Sequence, residues 1–129
     1  MKNKDVPKYL RLWFLIHFII DMLFAIPLIF FPKFILEFFN FQGQTALARL
    51  VGAALIGIGG MSFFSYKSDR ECYKSMLTLK IIWSGAAITG LLCSVFAGES
   101  IKLWYLIGIF FIFFLVWVYY KVKLEYKKF

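Results

Sequence analysis

Asp21 is the residue in this sequence best placed to do chemistry, and His17, four positions before it, is its natural partner. Both lie in an apolar stretch from Leu10 to about Phe31, and a helix would set them on one face, a turn apart. At 1.5 Å per residue, Asp21 would stand about 16 Å along that helix from Leu10, near the middle of a bilayer. A lone carboxylate there costs roughly 2.5 to 3.5 kcal/mol on insertion scales, so it must face other helices, find a partner or keep its proton. The His17 imidazole can hydrogen-bond to it, which would make a two-residue proton relay or a ligand anchor. The competing reading is a packing bond from Asp21 to Ser62, Ser84 or Thr89 on another helix.

Three further residues bear on the same question. Arg49 falls one turn inside the second apolar run; it can snorkel to the headgroups, reach towards Asp21, or pair with Glu37 or Glu99. Lys80 has a flexible stem near the start of the third run, so snorkelling is its expected behaviour. Trp83, in the segment IWSG, could stack on a ligand or act as a bulky packing residue beside small ones. The expected ligand-binding or proton-linked set is His17, Asp21, Arg49 and Trp83. There is no phosphate-cradling glycine loop and no nucleophile triad, and a single histidine gives no metal-ligand cluster, so neither enzyme activity nor a cofactor is expected.

The elements that must hold these residues are long apolar helices. Of 129 residues, 62% are hydrophobic and 22% aromatic, well above the soluble average of about half apolar, and a soluble fold of this size could not hide that surface. The apolar residues fall into four runs near the ~20 residues that cross a bilayer. They span about 10–31, 46–66, 75–97 and 103–120, in a single membrane domain. An all-α, integral membrane four-helix bundle is therefore expected, at the cell membrane. The first run is too long for a signal-peptide core and reads as a retained span. Between spans one and two, KFILEFFNFQGQ is too short to cross and reads as a short interfacial helix turned back by Gln42, Gly43 and Gln44, with Thr45 capping span two.

Small residues mark the packing faces. In span two, Ala48, Gly52 and Gly60 share one face, with Ala53 and Gly57 on a neighbouring stripe; span three carries Ser84, Gly85, Ala86, Ala87, Gly90 and Ser94. Span four, with Gly108 and many phenylalanines, is expected to face lipid or a dimer partner. Cys72 and Cys93 read as reduced.

The net charge of +8 lies at the ends of the runs, a membrane pattern that leaves nucleic acid unsupported as a partner. Lys2, Lys4, Lys8 and Arg11 precede span one. Lys67, Arg70 and Lys74 separate spans two and three, and Lys121, Lys123, Lys127 and Lys128 follow span four. The opposite side has only Lys33, Arg49 and Lys102, so both termini are expected in the cytoplasm. Trp13, Trp104, Tyr105, Trp117, Tyr119 and Tyr120 sit near the span ends as an aromatic belt.

Over most of its length the chain, with ALARLVGAALIGIGGMS and LKIIWS, resembles the small DoxX-like four-helix membrane proteins. That resemblance implies a compact bundle and carries over no catalytic residue. Locally, Ile82 to Ser100 is similar to the third span and following loop of small multidrug resistance transporters. These are antiparallel dimers that exchange protons for aromatic cations through a carboxylate in the first helix, so the likeness implies Asp21 as that acid and Trp83 as the stacking residue. The sequence departs from the family in having Asp for Glu, a longer Asp21 to Trp83 separation, an extra loop at Lys67 to Lys74 and a strong charge bias that opposes dual insertion. The local match reads as convergent helix packing.

Three functions compete: binding or carrying a small hydrophobic molecule, a structural or accessory membrane subunit, and lipid or quinone handling. The bilayer itself is the first partner, with a homodimer or another membrane protein as the second.

Overall fold

The computed structural model describes residues 6–40 and 44–126, so Gln42, Gly43, Lys2, Lys4, Lys127 and Lys128 lie outside the described residues. Among the described residues the chain is all-α, with α1 Lys8–Phe30, α2 Pro32–Phe38, α3 Thr45–Phe64, α4 Arg70–Phe96 and α5 Leu103–Tyr126. Four of these, α1, α3, α4 and α5, are long and apolar enough to cross a membrane. Their outer faces are apolar as well: Leu23, Phe30, Leu50, Ile82 and Phe111 are among the exposed large side chains. Lipid, not water, satisfies such surfaces, and the chain is a small multi-pass membrane protein.

Local chemistry sets the helix limits. Phe31 precedes Pro32, whose ring disfavours the α region for the residue before it; Phe31 accordingly leaves it at φ −133°, ψ 55°. Pro32 then opens α2, where its missing N–H is no loss. Thr45, expected as a cap, is instead the first residue of α3, with Gln44 in the cap position. The stretch from Lys67 to Lys74, expected to be a turn throughout, is divided. Asp69 caps α4 by accepting from the Cys72 amide at 3.1 Å, so Arg70 to Lys74 are already helical. At its other end α4 closes on Gly98 at φ +91°, with the Glu99 amide donating to the Ser94 carbonyl. That left-handed turn is why a glycine stands there.

The described residues form two compact units, one within Lys8–Lys67 and the other made of residues 6–7 with 68–126. In the first, α1 and α3 pack antiparallel, with α2 between them in sequence. The buried positions of α1 are Leu10, Phe14, His17, Asp21, Ala25 and Leu28, and those of α3 are Ala48, Gly52, Leu55, Gly59 and Ser62. Both sets step by three and four residues, the repeat of helices crossing at a shallow angle. The expected face of Ala48, Gly52 and Gly60 is thus corrected at its third member. A four-residue spacing drifts off a seam that repeats every 3.5 residues, so Gly59 is buried while Gly57 and Gly60 look onto open space.

In the second unit α4 and α5 pack antiparallel. Tyr73, Met76, Leu77, Lys80 and Ser84 of α4 are buried, as are Leu103, Ile107, Phe113, Trp117, Tyr120 and Leu124 of α5. Trp117 and Tyr120 therefore belong to the interior and not to the expected aromatic belt, whereas Trp104, Tyr105 and Tyr119 are exposed.

All three arginines of the sequence perform one task. Arg11 donates to the Tyr66 carbonyl at 2.5 Å, Arg49 to that of Ile29 at 3.0 Å, and Arg70 to that of Leu124. Each acceptor lies at or just past the C-terminal end of the antiparallel neighbour, where carbonyls have lost their intrahelical partners and the helix dipole is negative.

Candidate functional site

His17 and Asp21 come to lie where α1 meets α3. His17 Nε2 is 3.4 Å from Asp21 Oδ1, and the two residues are 4% and 6% exposed. The contact is longer than the 2.7–2.9 Å of a tight charge-assisted bond. Opposite Asp21 the α3 backbone is Gly59; a Cβ built there would fall 2.7 Å from Asp21 Cβ and 2.9 Å from Oδ2. Gly52 repeats this one heptad earlier, where a Cβ would meet Ile29 Cγ1 at 2.9 Å and the Ala25 carbonyl at 3.1 Å. Two glycines on the seam thus let the α3 backbone lie against α1, and one of them faces the carboxylate.

The pair can hold its proton on nitrogen or on oxygen and remain neutral overall, as an ion pair or as two neutral groups. Loss of that proton leaves one net negative charge inside a membrane-length helix pair. This is the chemistry a proton-linked site needs, and i, i+4 spacing on one helix is enough to assemble it.

Of the hydroxyls considered as partners for Asp21, Ser62 lies on the same seam and donates to the Ile58 carbonyl at 3.0 Å. Those of Ser84 and Thr89 donate within α4, to the Lys80 carbonyl at 2.7 Å and the Gly85 carbonyl at 2.9 Å.

Arg49 stands apart from the pair. Its guanidinium closes the end of α1 at Ile29, eight residues beyond Asp21, and among the described residues it makes no ion pair with Asp21 or Glu37. Eight residues of helix amount to about 12 Å, which is why the reach towards Asp21 is not made.

Lys80 is the residue whose behaviour the sequence reading missed. It does not snorkel; it is fully buried, and its ammonium lies 4.9 Å from the centroid of the Trp117 ring. Trp117 in turn stacks on Phe113, with centroids 5.6 Å apart and planes at 17°. Lys80 stands in the interior of α4, on the face that also buries Tyr73, Met76, Leu77 and Ser84. The signal for this was its spacing, since Lys80 shares the three-and-four-residue repeat of Tyr73, Met76, Leu77 and Ser84.

Trp83 packs edge-on against Phe110, with centroids 6.1 Å apart. Its indole nitrogen is buried with no acceptor among the described residues, so the side chain retains a donor as well as a face.

No protein-family model, curated protein or solved structure matches this chain. Its functional reading rests on the residues themselves.

Proposed function

We propose that this protein binds or carries a small hydrophobic molecule across or within the cell membrane, with Asp21 as the buried titrating group and His17 as its partner. The observation that carries the reading is their contact at 3.4 Å, buried on the packed seam of a membrane-length helix. Ionisable groups are rare at such positions and mark ion and substrate paths when they occur. A cationic or polar head on an apolar ligand would favour the deprotonated pair, so binding and proton release would be linked. Trp83, with its unused indole donor, is a second candidate contact for a ligand, on its own helix pair. The distribution of lysine and arginine supports cytoplasmic termini, and the DoxX-like resemblance supports the bundle architecture.

The test is proton release from purified protein in detergent on adding tetraphenylphosphonium, followed across about pH 5 to 9, in the wild type and in Asp21→Asn. Release that disappears in the variant supports the carrier reading; release that Asp21→Asn leaves unaltered removes Asp21 from the mechanism.

The Gly59 contact favours a second reading, a structural or accessory subunit in which Asp21 serves packing. On that reading Asp21→Asn, nearly isosteric, leaves assembly intact and no proton signal is seen in either protein.

A further inference from the structure

The apolar part of α5 ends at Tyr120, yet the helix continues to Tyr126. Six residues of helix cover about 9 Å, close to the depth of one headgroup layer, so this extension spans the zone of lipid phosphates. It carries Lys121, Lys123 and Glu125 and is followed in sequence by Lys127 and Lys128. Beside it lies the first turn of α4, whose Arg70 closes the Leu124 carbonyl and whose Lys74 backbone accepts from Lys121 Nζ at 3.4 Å.

Charge at this end is ordered. Glu125 lies 3.1 Å from Lys121 Nζ and 3.6 Å from Lys74 Nζ, so one carboxylate serves two ammonium groups, and Lys74 Nζ is also 4.0 Å from the exposed Glu71 carboxylate. The hydrogen bond from Lys121 holds the Glu125 carboxyl below the usual carboxylate range, with the charge of Lys74 adding to it. Asp69 is committed to the α4 cap. Lys123 leans over the rings of Tyr119 and Tyr120, at 5.7 and 6.0 Å from their centroids. Tyr119, just before the extension, and Val122 and Tyr126 on it are exposed, a surface for acyl and glycerol groups and not for bulk water.

We propose that the end of the α4–α5 pair, built on Lys74, Lys121 and Lys123, is a binding site for anionic phospholipid headgroups. Arg70, Lys74, Lys121 and Lys123 outnumber Asp69, Glu71 and Glu125 there, the helix carries that charge to phosphate depth, and the aromatic rings beside it hold it at that depth. The shared Glu125 holds Lys74 and Lys121 in place, offsetting one of their two charges.

The test is native mass spectrometry of the full chain in a neutral detergent, titrated with phosphatidylglycerol or phosphatidylcholine of matched acyl chains. The wild type should prefer phosphatidylglycerol, and Lys121→Gln with Lys123→Gln should cut that preference by about fivefold for each lysine removed. The double arginine variant at the same positions should keep it, and Lys102→Gln, at the opposite end of α5, should leave it unaltered. Should the glutamine pair fail to fold, salt decides on the wild type. The screening length falls from about 10 Å at 0.1 M to about 3 Å at 1 M, so the preference should fade over that range. Equal affinity for the two lipids, a preference indifferent to the glutamine pair or to salt, or displacement by inorganic phosphate at equal concentration would each overturn the proposal.

Discussion

Gly59 and Asp21 are in backbone-to-side-chain contact so close that a single methyl group at position 59 would overlap the Asp21 side chain, 2.7 Å from its Cβ. The acid is held by what α3 lacks at that point as much as by what His17 offers.

It follows that Gly59→Ala should force α1 and α3 apart or turn Asp21 out of its rotamer, at about 1 to 3 kcal/mol. Gly57→Ala, where a methyl meets open space, should stay within about 0.5 kcal/mol. Reversible unfolding of both variants in mixed micelles measures this, and equal costs would show that the seam does not run through Gly59.

Lys80 and Trp117 should be energetically coupled. A desolvated ammonium over an indole face is worth about 2 kcal/mol. A double-mutant cycle of Lys80→Met and Trp117→Leu, read by the same unfolding method, should return a coupling of that order. A snorkelling lysine would return none.

Arg49 should matter for the end of α1 and not for the proton. Loss of its bond to Ile29 should cost no more than about 1 kcal/mol, since the group is exposed, and Arg49→Ala should leave any Asp21-dependent proton signal unaltered. A changed signal would place Arg49 within reach of the carboxylate after all.

Glu125 gives a signed pH dependence. Its folded carboxyl is held below the ordinary value, so the stabilisation is present above the unfolded value and is lost as pH falls through the depressed one. Lys121→Gln should move the Glu125 titration back towards the usual carboxylate range, as followed by carbon NMR of labelled glutamate. An unmoved titration would show that Lys121 is not the dominant cause.

Much of this architecture is legible from residue types. Four apolar runs become four membrane-length helices, Pro32 ends the first, and His17 and Asp21 share the seam that their spacing implies. What was not legible follows from two physical details. Hydropathy marks where lipid begins, whereas a helix begins where a cap supplies hydrogen bonds, so Asp69 starts α4 ahead of its apolar run and makes Arg70 to Lys74 helical. Small residues show that helices approach closely, but the repeat of the crossing decides which of Gly57, Gly59 and Gly60 does the touching. Trp117 was misplaced because a tryptophan near the end of an apolar run reads as a belt residue unless a buried cation is known to lie against it, and Lys80 is that cation.

The placement of His17 and Asp21 on one helix also bears on how the protein is made. When the first span leaves the ribosome, its acid already has its partner one turn away, and the segment can enter the lipid before any later helix exists. Lys80 meets the ring it lies against only later, because Trp117 belongs to α5, which is synthesised after α4. The nascent chain therefore carries its amine into the bilayer ahead of the ring that will shelter it, and completion of α5 is the step that closes that interval.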